Sequence, residues 1–156
     1  MNQKYFNIGE NKMIKQCLSI DQMRHLKELG VDTSMASMLW IKPQEGVYFV
    51  SSPKLSDGEW LLSINVENDR VKSLCETVPA FTLQDIIELM PRIIDPITDA
   101  GTFYLNMYYY DQSWVVDYLN NKGDGSYYAT LSDSIIDAAY DMLCWCIENG
   151  YVKTKE

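Results

Sequence analysis

The chain has 156 residues, about one domain's worth, and that length can bury around two-thirds of its unfolded surface without a disulfide or metal staple. Apolar residues make up 47% and charged residues 22%, ordinary globular usage that excludes a disordered or low-complexity chain. Thirteen basic residues against twenty-two acidic ones leave a formal charge of −9, which disfavours direct binding of nucleic-acid phosphate or anionic lipid.

The opening Met1-Asn2-Gln3-Lys4-Tyr5 has no apolar signal region, and no apolar run reaches the roughly 18 residues of a membrane span. The expectation is a single α+β domain over residues 1–156, cytoplasmic and not membrane-bound. Ser19 followed by Gln22 reads as a capping box and Gly30 as a stop. Between them Ile20, Met23, Leu26 and Leu29 give a short amphipathic helix. Met38–Ile41, Val47–Val50 and Trp60–Val66 then read as strands separated by turn-rich connectors, an antiparallel meander.

Thr82 with Asp85 predicts a second capped helix, and Pro91 ends it near Met90. Ile93-Ile94-Asp95-Pro96 reads as an irregular turn. Thr102–Tyr110 returns at Trp114–Leu119 through a short Asp111-Gln112-Ser113 connector, the clearest hairpin in the chain. Thr130 or Ser132 caps a last helix that runs to Asn149, with Gly150 as its stop. Its apolar stripe is Ile135, Ile136, Ala139, Met142, Leu143, Cys146 and Ile147. The predicted fold is a mainly antiparallel sheet of about five strands with helices packed on one face.

Chemistry-bearing motifs are sparse. Cys144 and Cys146 point about 200° apart on a helix, so the four cysteines read as buried thiols and no metal site is expected. His25, the single histidine, has no Gly-x-Ser-x-Gly partner motif and reads as a surface side chain. Asn120–Ser126 resembles half a calcium loop, but Lys122 and Leu131 stand where oxygen ligands belong, so it reads as a turn. Asp133, Asp137 and Asp141 recur every four residues and read as a solvated acidic face. Trp145 projects off the apolar stripe and reads as covered by another segment. No cofactor is implied.

The aromatic content is the informative feature: eleven tyrosines, four tryptophans and four phenylalanines, several of them crowded into the final hairpin. Strand alternation puts Phe103, Leu105, Met107 and Tyr109 on the core face and Tyr104, Asn106, Tyr108 and Tyr110 on the open face. Trp114, Val116 and Tyr118 are candidates to extend that open face sideways. Tyrosine offers contact area at low entropy cost while keeping a hydroxyl for a partner. The candidate interface is therefore Tyr104, Tyr108, Tyr110, Trp114 and Tyr118.

Val78–Pro91, with Pro79-Ala80-Phe81-Thr82-Leu83, together with Leu131–Gly150 ending in Glu148-Asn149-Gly150, resembles a group of small proteins of bacterial phages, prophages and mobile elements. The resemblance implies context, an accessory gene product in a bacterial cytoplasm, and carries over no activity and no functional residue. The leading expectation is a non-catalytic module that binds a protein partner or itself, or that mimics nucleic acid through its charge. The alternative is a small-ligand-binding domain or hydrolase with a pocket between sheet and helices, using Asp117, Asp137, Asp141 and Tyr118. A structural role comes third.

Overall fold

The computed structural model describes residues 15–44, 56–57, 60–65, 69–96 and 101–154. In chain order the elements are α1 (Ile20–Glu28), β1 (Met38–Pro43), β2 (Ser56–Asp57), β3 (Trp60–Ile64), α2 (Asp69–Leu74), β4 (Cys75–Ala80), α3 (Leu83–Leu89), β5 (Ile93–Ile94), β6 (Phe103–Tyr110), β7 (Ser113–Asn120), β8 (Ser126–Ser132) and α4 (Ile135–Glu148).

Both predicted capping boxes form. Ser19 Oγ accepts the Gln22 N–H at 3.3 Å while Gln22 Oε1 accepts the Ser19 N–H at 3.0 Å. At α3, Thr82 and Asp85 exchange the same pair of bonds. Gly30 and Gly150 stop α1 and α4 alike, with φ of 83° and 75°, the left-handed conformation that glycine adopts without a Cβ penalty. Val31 N–H then bonds the Leu26 carbonyl at 3.0 Å, and Tyr151 N–H bonds the Cys146 carbonyl at 2.8 Å. The cap of α4 is Ser134, not Thr130 or Ser132, because both of those belong to β8.

Among the described residues the strands form two antiparallel sheets of four rather than one of about five: β2-β3-β1-β4 and β5-β6-β7-β8. The chain is α+β as expected. Four strands carry the difference: β2, β4, β5 and β8. β4 contains Pro79, which has no N–H to give a ladder and so argues against a strand; it is tolerated because β4 is an edge strand among the described residues. β8 lies where a turn and a helix cap were expected. The Ile93-Ile94 segment, expected as an irregular turn, pairs with Tyr104 and Phe103 as β5. The predicted strand Val47–Val50 and the end of Trp60–Val66 lie outside the described residues.

Helices join the sheets. On α1, Ile20 packs with Trp40, Leu62 and Ala80 of the first sheet, while Met23 and Leu26 enter the main core. That core places Ile136, Ala139, Met142, Leu143 and Cys146 of α4 against Val116 and Tyr118 of β7, with Ile86 of α3 alongside. Leu39, Ile41 and Cys75 form a smaller cluster on the other side of the first sheet. Among the described residues no helix is long and apolar enough to cross a membrane.

Candidate interaction surface

The hairpin between β6 and β7 turns on two residues, Asp111 and Gln112, both with positive φ (45° and 65°). A two-residue turn fixes the register at Tyr110 opposite Ser113, and every other pair follows. Tyr104 faces Leu119, Asn106 faces Asp117 and Tyr108 faces Val115, so these pairs share one side. Phe103, Leu105, Met107 and Tyr109 oppose Asn120, Tyr118, Val116 and Trp114 on the other. That second side is the one α4 covers.

The five expected interface residues therefore separate. Tyr104, Tyr108 and Tyr110 lie on the outer face, with Tyr108 43% and Tyr110 69% exposed. Ile93, beside Tyr104, and Leu131, opposite Val115, extend that face at either side, Leu131 being 62% exposed. Tyr118 is on the inner face, fully buried, with its hydroxyl donating to the Pro91 carbonyl at 2.6 Å. It is a core residue. Trp114 also points inward, half-buried, edge-on to Tyr109 with ring centroids 5.3 Å apart. Tyr109 shares the inner side but is exposed, so the helix-side core does not enclose this end of the hairpin.

At the centre of the outer face sits a carboxylate. Asp117 is 2% exposed, accepts one hydrogen bond from the Tyr108 hydroxyl at 3.3 Å on Oδ2, and its Oδ1 has no partner. Burial raises the Asp117 carboxyl above its ordinary value, with the Tyr108 bond opposing the rise. Burial and then the Asp117 charge raise the Tyr108 phenol in turn. The surface thus combines exposed aromatic rings with one incompletely bonded acidic group.

On the helix side, Trp145 is covered by tyrosines. It stacks on Tyr128 at 4.4 Å with ring planes 6° apart, and Tyr127 and Tyr151 pack at 6.0 and 5.3 Å. Trp145 also lines a cleft of about 390 Å³ between β8, α4 and α1. His25 reaches this cleft, with Nδ1 2.6 Å from the Tyr140 hydroxyl, a bond between α1 and α4 that sequence spacing did not reveal. The two thiols of α4 are poor nucleophiles. Burial raises Cys144, with Asp141 and Glu148 adding to the rise, and pushes Cys146 up to about 11.

The four acid–base candidates are not brought together. Asp117 faces the outer side of the second sheet and Tyr118 the core, while Asp137 and Asp141 stand on α4. Asp137 is not a solvated carboxylate: Lys15 Nζ approaches at 2.5 Å and Gln22 Nε2 at 2.8 Å. Burial alone would raise its carboxyl, but these bonds and the Lys15 charge hold it below the ordinary value. Burial and the neighbouring Asp137 raise Asp141. The sheet–helix interface is filled by Val116, Tyr118, Met142 and Leu143, all fully buried. Asn120–Gly125 is a tight turn in which the Asn120 side chain bonds Lys122 and Asp124. Among the described residues no three His, Cys, Asp or Glu side chains meet in a way that could hold a metal ion.

Comparison of the chain with models of protein families, with curated proteins and with solved structures returned no match.

Proposed function

We propose that this chain is a protein-interaction or self-associating module of accessory, mobile-element type that performs no catalysis of its own. One observation carries the reading: Tyr104, Tyr108, Tyr110, Ile93 and Leu131 stand exposed together on one face of a rigid antiparallel sheet. A contiguous aromatic and aliphatic patch of this kind marks an association surface on a folded protein, and tyrosine supplies both its area and its hydrogen bonds. The scattered acid–base groups and the raised thiols give no support to a hydrolytic alternative.

The test compares the wild-type chain with Tyr108→Ala and Tyr110→Ala as bait in cell lysate, at low and high salt. Sedimentation of the purified chains runs alongside. Wild type is expected to retain a protein partner, or its own second copy, at high salt. Each variant is expected to lose that association roughly tenfold or more while its thermal unfolding stays cooperative. Association that disappears at high salt and ignores both substitutions would move the contact to the acidic surface and overturn the reading.

A further inference from the structure

The second sheet ends at β8. Among the described residues no strand pairs with its outer edge, so every second residue there directs its backbone N–H and C=O away from β7. Edge strands are ordinarily protected by charge, proline or an irregular register. Ser126–Ser132 contains no charged residue, no proline and no glycine. Its one register shift lies at the start, beside Leu119, which leaves Tyr128–Ser132 regularly paired.

That edge is one wall of the cleft described above; α4 and α1 form the other. A groove between a free sheet edge and a helix is the setting in which an extended peptide adds as a further strand, its backbone bonding the edge and its side chains reaching the helix. The charge of the groove selects among occupants. Asp141 and Glu148 line it, and the one basic-capable side chain among its described lining residues, His25, is engaged by the Tyr140 hydroxyl. Two copies joined edge to edge through β8 would form one continuous sheet, with their α4 helices side by side. Asp141 and Glu148 would then meet their own equivalents, in chains that each carry −9. A basic segment meets the opposite situation. The stacked Tyr128 and Trp145 rings add a preformed aromatic wall for a cationic side chain.

We infer that the groove between β8 and α4 binds an extended peptide carrying lysine or arginine, which adds to β8 as a fifth strand. The site adjoins the outer sheet face at Leu131, which belongs to both. The probe is a displayed random heptapeptide library panned on the purified chain, followed by titration of the selected peptides as synthetic ligands. Enriched sequences are expected to carry Lys or Arg with alternating apolar and polar positions. Their affinity is expected to fall at least tenfold in the exposed double variant Asp141→Lys/Glu148→Lys. Amide hydrogen exchange at the outward-facing positions of Tyr128–Ser132 is expected to slow when peptide binds, whereas binding to the outer sheet face would leave it unchanged. The inference is overturned by no enrichment over a bare surface, by enriched acidic sequences, or by affinity indifferent to the charge reversal. It is equally overturned by a concentration-dependent dimer that protects β8 without any peptide.

Discussion

Asp117 and Tyr118 are neighbours in the chain that face opposite sides of β7, and both are buried, yet only the tyrosine has its polar atom fully bonded. The consequence for Asp117 can be worked out. Its folded-state carboxyl is raised, so the native state holds the proton more tightly than the unfolded chain does. Stability therefore falls as pH rises from the ordinary carboxylate range through that raised value, and the penalty persists at neutral pH. Asp117→Asn should stabilise the fold by about 1 kcal/mol at neutral pH, the gain vanishing as the solution becomes acidic enough to protonate the wild-type side chain. Asp137 runs the other way, because Lys15 and Gln22 lower its carboxyl. Its contribution is present above the ordinary carboxylate range and is lost as pH falls through the lowered value. Asp137→Asn should cost about 1 kcal/mol near neutrality and less in acid. Urea unfolding of both variants at neutral and acidic pH checks the two opposite trends together. Alternation along β6 was enough to place Tyr104, Tyr108 and Tyr110. Trp114 and Tyr118 could not be placed, because their face depends on the parity of the turn, and reading Asp111–Ser113 as the connector leaves that parity open.

α1, α3 and α4 were legible as elements because side chains or glycines mark their ends, Ser19 with Gln22, Thr82 with Asp85, and the two stop glycines, whereas α2 was not read from the sequence. Asp85 does more than the capping pattern implies. Its carboxylate also takes the Ser37 N–H at 3.1 Å and the Ser37 hydroxyl at 2.5 Å, which ties the start of α3 to the chain entering β1. β4 and β8 were not legible for a different reason: Pro79 reads as a strand breaker, and Ser126–Ser132 follows a glycine-rich turn and adjoins a helix start. What makes them strands is the partner already waiting, β1 for one and β7 for the other. The turn between β6 and β7 offers a direct test at this scale. Asp111 and Gln112 hold positive φ without being glycine, at a cost that Asn-Gly avoids. Replacing the pair by Asn-Gly should raise stability by about 1 kcal/mol, read as a higher urea midpoint with an unchanged slope.

Across the whole molecule the two sheets differ in how their strand order relates to chain order. In the second sheet the spatial order β5-β6-β7-β8 is the order of synthesis, and α4 follows at once to cover it. In the first, β1 must wait for β4, with β2, β3 and α2 between them. Loop-closure entropy makes the sequential sheet cheaper to nucleate. In stopped-flow experiments, Val116→Ala in β7 should mainly slow refolding, while Leu62→Ala in β3 should mainly speed unfolding. The reverse pattern would place the nucleus in the first sheet. The same topology has a consequence during translation. α1 and α3 leave the ribosome before α4, so Met23, Leu26 and Ile86 lack the α4 side of the main core until that helix emerges. The segment best able to fold quickly is made after the first sheet, and the earlier elements pass through a period of exposed apolar side chains that only its emergence ends.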